Sequence, residues 1–395
     1  MDKTIKLSVE DSKVKLEDAV CANLKSLFSG CRVNFLLGAG FSANLLGTLG
    51  NNEIIFEAVQ KYQTANATEE NKLKVLTAHL YWSFFKRCIE PIASKVSTSV
   101  ASFQEYMDLG AVLYRIFSER CNPTLDRQFN IFTTNYDPIL ELMLDHSSCI
   151  CNDGFEGRIE PLFSTDNFSK SYYRQAVFSN RKAEIPSLNL FKIHGSITWE
   201  YDSKAGVIRY CDFKKLIGDF SLAFASLFSD STVETIDKHF TATTLNDAET
   251  QVGTMLRLTL LDGCLSDVKQ YDEFIGSYKH KFLIVNPTKE KFSDTLLNKN
   301  YYELLRIFSN ELEKENTLLV VNGFSFRDEH ILDLVKRSMV NPSLKILIFA
   351  YEEGAIAEFE RLFAGSKNNN ISYVCLDGEK LTLKFFNQIL LHIHI

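Results

Sequence analysis

Short apolar runs alternate with longer stretches of helical periodicity along most of this chain. Apolar runs bounded by glycine, proline or polar clusters are typical of buried strands. The predicted strands cover residues 33–37, 129–135, 188–196, 281–287, 317–326, 344–350 and 371–376. Because helical stretches follow most of these strands, the pattern predicts an open parallel sheet with helices on both faces.

The helical stretches indicate how the chain is organised. Apolar residues recur at helical spacing over 14–28, which predicts an N-terminal helical segment at 1–30. The remainder, 31–395, is predicted to be one Rossmann-like α/β domain. Mostly helical insertions at about 53–120 and 200–275 interrupt it, and we expect the second to form a small domain.

Composition narrows the class of protein. The chain has 395 residues, of which 45% are hydrophobic and 24% charged, as in ordinary globular proteins. Its net charge of −7 argues against direct nucleic-acid binding. The nine cysteines include no Cys-x-x-Cys pair, so we expect no structural zinc and a reducing compartment. The sequence shows no signal-peptide pattern and no membrane-length apolar run, so we expect a cytoplasmic protein without membrane contact.

The first predicted strand opens into a glycine loop, within the stretch VNFLLGAGFSANLLG at 33–47. Glycine lets a backbone approach a phosphate closely, and free amides at a helix start favour an anion. The segment GAGFSA matches only part of the dinucleotide fingerprint, because Ala43 takes the place of its third glycine. The alternative is a tight turn whose glycines serve packing. A dehydrogenase is not favoured, because a helical stretch follows where its second strand should end in an acidic residue.

Three later strands also end in polar residues, in the segments TTNYD (133–137), KIHGS (192–196) and NGFSF (322–326). The carboxyl ends of strands in an open parallel sheet converge on one crevice. We therefore expect the four strand ends to line one pocket. Its candidate residues are Gly38, Gly40, Ser42, Thr134, Asn135, Asp137, His194, Gly195, Gly323 and Ser325.

In their order and spacing these motifs resemble the sirtuin family. The chain shows GAG-x-S, then TTNYD in place of a Thr-x-Asn-x-Asp-like motif, then His-Gly and Gly-x-Ser. The segments KIHGS and GFSFRDEHI are similar to the sirtuin-like NAD hydrolase domains of bacterial anti-phage defence systems. The resemblance spans residues 34–335.

The resemblance implies that the pocket binds NAD. It implies catalytic roles for Asn135 and His194 and a nicotinamide contact for Asp137. The glycine loop would hold the diphosphate, and the later strand ends would contact adenosine. The residues implied to bind NAD are Gly38, Ala39, Gly40, Ser42, Thr134, Asp137, Gly195, Asn286, Gly323 and Ser325.

Residue chemistry supports the two catalytic roles independently. The neutral amide of Asn135 can orient a nucleophile through its donor and its acceptor groups. A histidine such as His194 can take a proton from water or a ribose hydroxyl near neutral pH.

The chain departs in two ways from the deacylases that its motifs resemble. These departures change the group that is expected to accept ADP-ribose. Those deacylases usually carry a zinc module with two Cys-x-x-Cys pairs after the His-Gly motif. Here Cys211 and Cys264 are the only cysteines between residues 152 and 374. The usual Pro-Asp-Phe-Arg stretch after the glycine loop is also missing, so Asn44 and the 47–52 turn are expected to cover the nicotinamide. Water is therefore the expected acceptor.

Structural roles remain open for the same residues. Asn135 and Asp137 could cap the helix that follows them. His194 could be a core histidine satisfied by its neighbours. His330 is expected at a helix start, where Arg327 and Asp328 would make local ion pairs.

The sequence thus predicts an NAD glycohydrolase that needs no metal and releases nicotinamide and ADP-ribose. The resemblance implies abortive infection as its purpose, a HerA-type ATPase as a partner, and homo-oligomerisation. Two alternatives stay open: an NAD-dependent protein deacylase, and a non-catalytic nucleotide-binding scaffold or sensor.

Overall fold

The structure is a computed structural model of the chain. It describes residues 3–46, 52–120, 122, 124–178, 180–285, 295–366 and 370–393, without the side chains at 52–53 and 295–298. Asn286, a predicted adenosine contact, therefore lies outside the described residues, as does the turn at 47–51.

Strands and helices follow one another along the described chain. The strands are β1 (Thr4–Glu10), β2 (Lys13–Lys15), β3 (Arg32–Leu37), β4 (Gln128–Thr133), β5 (Ile150–Asn152), β6 (Phe155–Glu156), β7 (Leu162–Phe163), β8 (Tyr173–Gln175), β9 (Lys182–Glu184), β10 (Ser187–Lys192), β11 (Trp199–Asp202), β12 (Val207–Tyr210), β13 (Thr317–Asn322), β14 (Lys345–Phe349) and β15 (Ile371–Leu376).

The α-helices are α1 (Asp18–Gly30), α2 (Asn52–Lys61), α3 (Ala67–Phe84), α4 (Glu90–Lys95), α5 (Gln104–Glu119), α6 (Ile139–Asp145), α7 (Phe213–Phe224), α8 (Asp230–His239), α9 (Leu245–Arg257), α10 (Val268–Lys281), α11 (Thr295–Glu313), α12 (Glu329–Ser338), α13 (Ala355–Leu362) and α14 (Leu383–Leu391).

The chain folds into two compact units. The sheet unit comprises residues 1–45, 97–194 and 299–395, and the helical unit comprises 46–96 and 195–298. Helix α5, which the sequence pattern assigned to the first helical insertion, belongs to the sheet unit, where it packs against α6 and α14.

The sheet unit is built on one large sheet. Among the described residues its strand order is β2-β1-β15-β14-β13-β3-β4-β10-β5. Neighbours run parallel, except that β1 and β2 are antiparallel. Every residue of β10 and β13 is buried, as expected of strands whose two faces are both covered. The predicted α/β class, a mostly parallel sheet flanked by helices, is confirmed.

The carboxyl ends of four central strands lie at one level. Asn322 at the end of β13 pairs with Leu37 at the end of β3. Leu37 pairs in turn with Thr133 of β4, and Thr133 pairs with Lys192 of β10. The residues that follow these four positions therefore leave the sheet together at one edge.

A ladder of asparagines crosses three of these strands and fixes their alignment. Asn130 of β4 lies opposite Asn34 of β3 and Asn189 of β10. The Asn130 side chain donates to Asn34 Oδ1 at 2.8 Å and accepts from Asn189 Nδ2 at 2.9 Å. A shift of any one strand would break these bonds and leave buried amides unpaired, so the ladder favours this register.

The helical unit contains α2 to α4, α7 to α10 and the hairpin of β11 and β12. Its core is rich in aromatic rings. Trp82 stacks on Phe228 with ring centroids 4.8 Å apart, and Phe220 lies 5.0 Å from both Phe85 and Phe282. Several of the 31 phenylalanines of the chain therefore pack in the core of the helical unit.

The N-terminal segment contains strands as well as the predicted helix. Residues 14–28 were predicted as a helix, whereas α1 begins at Asp18 and β1 and β2 precede it. Residues Thr4 to Leu7 of β1 pair with β15 near one edge of the sheet. Ile5 and Leu7 are buried between exposed neighbours, an alternation that could have revealed the strand.

The strand predicted at 281–287 is wrong in its described part. Lys281 ends α10, and Ile284 forms only an isolated bridge with Gly195. An apolar run of this length does not by itself distinguish a strand from a buried connection.

No helix in the described ranges has the length and apolar character needed to cross a membrane.

Replacing Asn130 with valine is expected to destabilise the sheet unit by about 1–3 kcal/mol, because Asn34 Oδ1 loses its donor and Asn189 Nδ2 keeps only its 3.3 Å bond to Gln128 Oε1. Urea unfolding followed by amide exchange at β3, β4 and β10 would measure this. The triple variant Asn34→Val, Asn130→Val, Asn189→Val should recover part of the loss, because no amide of the ladder then remains in the interior. Equal stability of Asn130→Val and the natural chain would contradict a register role for the ladder.

Candidate functional site

Five residues that follow the four level strand ends form what we call the strand-end cluster: Ser42, Asn135, Asp137, His194 and Gly323. Asn135 and His194 each lie two residues beyond the paired positions Thr133 and Lys192. Neighbouring strands are about 4.8 Å apart, so this register brings the two residues to adjacent positions at the edge.

The glycines of the first loop are required by the neighbouring loop. A Cβ on Gly38 would lie 2.6 Å from the Gly323 carbonyl oxygen, and one on Gly40 would lie 2.8 Å from Gly323 Cα. Gly323 itself has φ +66°, and its own Cβ would lie 2.1 Å from the Phe41 nitrogen. The loops after β3 and β13 thus meet backbone to backbone, which corresponds to the packing alternative for these glycines.

The amides of this loop are partly used by the protein itself. Gly38 N–H donates to Asn322 O at 3.2 Å, and Gly40 N–H donates to Gly323 O at 2.9 Å. The expectation of unpaired amides at these two glycines is not met. Residues Ala39–Ser42 form a short 3-10 helix in place of the longer helix start expected for an anion cradle.

Asn135 is held in one orientation by two hydrogen bonds. Its Nδ2 donates to Gly38 O and to Ser42 Oγ, both at 2.9 Å. Because a backbone carbonyl can only accept, the first bond identifies the nitrogen end of the amide. Both amide hydrogens are therefore occupied, and Oδ1 accepts no hydrogen bond from the residues that the structure describes. The amide keeps one acceptor for an external group.

Ser42 connects Asn135 to Asp137. The Ser42 hydroxyl donates to Asp137 Oδ2 at 2.8 Å while it accepts from the Asn135 amide. Asp137 Oδ1 accepts from Ile139 N–H at 3.1 Å, so this carboxylate also caps the start of α6. The capping alternative thus holds for Asp137, whereas the side chain of Asn135 points back to the glycine loop.

A buried ion pair lies behind the cluster. Lys192 Nζ is 3.1 Å from Glu141 Oε1 and also donates to the Asp137 carbonyl oxygen. The Lys192 side chain is 2% exposed, so these partners replace the water that would otherwise solvate its ammonium group. Burial raises the pKa of the Glu141 carboxyl, whereas the Lys192 ammonium lowers it. The pair ties β10 to the turn that carries Asp137.

His194 is paired with a residue from the fourth strand end. Its Nε2 lies 3.0 Å from Asp328 Oδ2, and neither side chain is more than 16% exposed. Asp328 Oδ1 accepts from the backbone amides of His330 and Ile331 and so caps α12. The Tyr301 ring lies beside the imidazole, with centroids 6.3 Å apart. His194 is therefore neither a histidine of the apolar core nor an isolated surface group.

Other predicted residues lie outside this hydrogen-bonded network. Thr134 is half-buried, and its amide donates to Leu37 O at 3.3 Å. Ser325 is exposed, as is Ala39. Gly195 has φ +75° and belongs to the helical unit, where its Cβ would lie 2.0 Å from Leu283 O. Its glycine identity is explained by that contact.

Sequence reasoning missed three residues that support the cluster: Lys192, Glu141 and Asp328. Lys192 is the only charged residue of the buried strand β10, and a lysine in such a strand calls for a buried partner. Glu141, which lies within α6, is the partner of Lys192, and no local pattern in the sequence marks it as such. Asp328 was expected only to make local ion pairs at a helix start, because a contact over this sequence distance leaves no local pattern.

Within the part of the chain that the structure describes, no group of three or more histidine, cysteine, aspartate or glutamate side chains is placed to bind a metal ion.

One comparison with known proteins gives a match. The model of a family described as a SIR2-like domain matches residues 130–247, under a third of the chain. The matched region includes Asn135, Asp137 and His194 but neither the glycine loop nor the Gly323 loop. This match supports a sirtuin-like family and an NAD-related function. No curated protein matches the chain.

Gly323 and Gly378 offer a matched pair of substitutions, because both have nearly equal positive φ, +66° and +68°. Gly378 has no atom within 4 Å of an added Cβ, so Gly378→Ala should cost only the strain of the left-handed conformation, about 1–2 kcal/mol. Gly323→Ala should cost clearly more, because it also forces the two loops apart. Unfolding free energies of the two variants test this, and equal losses would contradict the close approach of the loops.

Removing the Lys192 cation should destabilise the chain in a pH-dependent way. At neutral pH Lys192→Met removes the ammonium that faces the buried Glu141 carboxylate and is expected to cost about 3–5 kcal/mol. Without the lysine, the remaining influences raise the pKa of Glu141 above its value in the unfolded chain. A raised pKa means that the protonated form favours folding, so the loss should shrink as the pH falls through that pKa.

The double variant Lys192→Met, Glu141→Gln is the control for this pH dependence, because it has no titrating group at position 141. Urea unfolding at neutral and mildly acid pH should show a penalty that shrinks on acidification for the single variant only. A penalty that does not change with pH would contradict the assignment.

Proposed function

We propose that this chain is an NAD glycohydrolase, which cleaves NAD with water to nicotinamide and ADP-ribose. The observation that carries the proposal is the level register of β13, β3, β4 and β10, because it gathers Asn135 and His194 at the edge where open parallel sheets bind ligands. The SIR2-like match over two of these strand ends supports NAD as the substrate class.

The residues present suit a dinucleotide in their chemistry. The loops after β3 and β13 meet at Gly38, Gly40 and Gly323, beside the polar residues of the strand-end cluster. The buried polar groups next to them, Ser42, Asn135 and Asp137, provide hydrogen-bonding partners for ribose and amide groups. Each oxygen of Asp137 accepts one bond internally, and a carboxylate can accept more, so a contact with the nicotinamide amide stays open to it.

Asn135 orients the nucleophile in this proposal. With both amide hydrogens bound inside the protein, only Oδ1 is left to accept a hydrogen from water or from a ribose hydroxyl. A fixed acceptor of this kind lowers the entropy cost of bringing water to the reacting carbon. It does so without adding a charge that would compete for the developing positive centre.

His194 takes the proton in this proposal. The bond from the anomeric carbon to the nicotinamide nitrogen breaks, and its electron pair stays with nicotinamide. The water oxygen bonds to the anomeric carbon and loses a proton, which the imidazole accepts. The His194–Asp328 hydrogen bond holds the ring in place for this transfer.

The wider role follows the sequence resemblance. We propose that the activity depletes NAD during phage infection and that it is controlled by homo-oligomerisation or by a HerA-type ATPase. Phage challenge of cells that carry the chain with and without the gene next to it would test this role separately from the chemistry.

Asn135→Ala and His194→Ala should each lower nicotinamide release by about 10²–10⁴-fold, because each removes a group that acts on the nucleophile. The assay needs a preparation that turns over NAD, either the chain alone or the chain co-purified with its partner. His330→Ala is the control, because this exposed histidine contacts Asp328 only through its backbone and should retain full activity.

The same assay separates the alternatives. Nicotinamide release that requires an acylated peptide would identify a deacylase. Tight NAD binding without any release would favour a scaffold or sensor. Unchanged turnover in both alanine variants would contradict the assignment of Asn135 and His194.

A further inference from the structure

We propose that Asp328 is a positioning residue that fixes the tautomer of His194 and so makes Nδ1 the atom that takes the proton. This inference rests on the proposed function for its chemical meaning. Its geometric part, the protonation of one particular ring nitrogen, can be measured without any turnover.

The Asp328 carboxylate is itself held rigidly. One oxygen, Oδ1, accepts from the amides of His330 at 3.0 Å and Ile331 at 3.4 Å at the start of α12. The other oxygen, Oδ2, faces His194 Nε2 at 3.0 Å. A helix start favours a negative charge at this position, so the carboxylate is anchored in its ionised form by the backbone.

This contact determines which ring nitrogen of His194 carries the hydrogen. An ionised carboxylate only accepts hydrogen bonds, so Nε2 must be the donor. In the neutral ring the other nitrogen, Nδ1, is then an acceptor. Nδ1 makes no hydrogen bond to any residue that the structure describes, which leaves it open to an external donor.

The surroundings of the ring help to keep this arrangement. Tyr301 is buried beside the imidazole, with ring centroids 6.3 Å apart. Burial, and then the negative charge of Asp328, raise the pKa of the Tyr301 hydroxyl, so it stays protonated and does not compete as an anion. The ring is thus bounded by an apolar wall and oriented by a carboxylate.

The strand-end cluster then presents two open acceptors, Asn135 Oδ1 and His194 Nδ1. In this proposal the attacking water donates one of its two hydrogens to each. When the water oxygen bonds to the anomeric carbon, the proton that the water donates to Nδ1 is transferred to the ring. The ring becomes an imidazolium that faces the Asp328 carboxylate. Nicotinamide leaves with the bonding electron pair, and the imidazolium returns its proton to solvent.

The decisive variant is Asp328→Asn. Asparagine keeps the oxygen that caps α12, since Asn is as good a helix cap as Asp, but it replaces Oδ2 with an NH₂ donor. Nε2 must now accept, so the ring hydrogen should move to Nδ1 and leave no base there. We expect a fall in kcat of about 10²–10⁴-fold with unchanged NAD affinity, because the residue acts through His194 and does not touch the nucleotide.

The measurement is ¹⁵N NMR of the full-length chain labelled at its histidines, with the His194 signals identified by their loss in His194→Gln. The natural chain should show the neutral ring protonated at Nε2, and Asp328→Asn should show it protonated at Nδ1. The control His330→Ala keeps the backbone amide that Asp328 caps, and it should change neither the tautomer nor kcat.

Two results would overturn the proposal. One is the finding that the neutral His194 ring of the natural chain carries its hydrogen on Nδ1. This measurement needs neither a variant nor enzymatic activity. The other is an Asp328→Asn chain that loses activity with the His194 tautomer unchanged. Should the NAD glycohydrolase assignment fail while the tautomer switches as described, only the catalytic use of the pair would be lost.

Discussion

The register of the central strands is the constraint on which the site depends. The asparagine ladder of Asn34, Asn130 and Asn189 matches β3, β4 and β10 residue for residue. A one-residue slip would turn every side chain of a strand to the opposite face and would leave these amides unpaired. Because the ladder opposes a slip of these three strands, their ends stay level, and the polar residues beyond them stay together.

Three polar connections extend this alignment from the sheet to the loops. The Asn135–Ser42–Asp137 chain joins the loop after β4 to the loop after β3. The Lys192–Glu141 pair joins β10 to α6, and Asp328 joins His194 to α12. Asn135 uses its Nδ2 and His194 uses its Nε2 in these connections. Asn135 Oδ1 and His194 Nδ1 are left without partners among the described residues. The structural roles of these residues are therefore compatible with the catalytic roles that we propose.

The local signals of the sequence predicted the central part of the fold well. Apolar runs located six of the seven strand segments proposed, within a few residues, because strands buried on both faces leave a continuous pattern. The N-terminal strand β1 was missed because its alternating residues are half polar, and the apolar run at 281–287 was misread because such a run has two structural meanings. Motif order identified the strand-end residues, since each motif lies at the end of its own strand.

Long-range pairings of the site could not be read from the sequence. Asp328 lies 134 residues from His194, and Lys192 lies 51 residues from Glu141. Neither distance leaves a periodic or motif signal. The glycine loop shows the same limit: its sequence is compatible with a phosphate cradle or with a close loop contact, and only the position of Gly323 reveals the contact.

The most direct test of the account is a crystal structure of the His194→Ala chain with NAD bound. Our account predicts the nicotinamide ribose next to Asn135, with the diphosphate near the loops of Gly38 and Gly323. A nucleotide bound at another edge of the sheet, or with its ribose out of reach of Asn135 Oδ1, would contradict it.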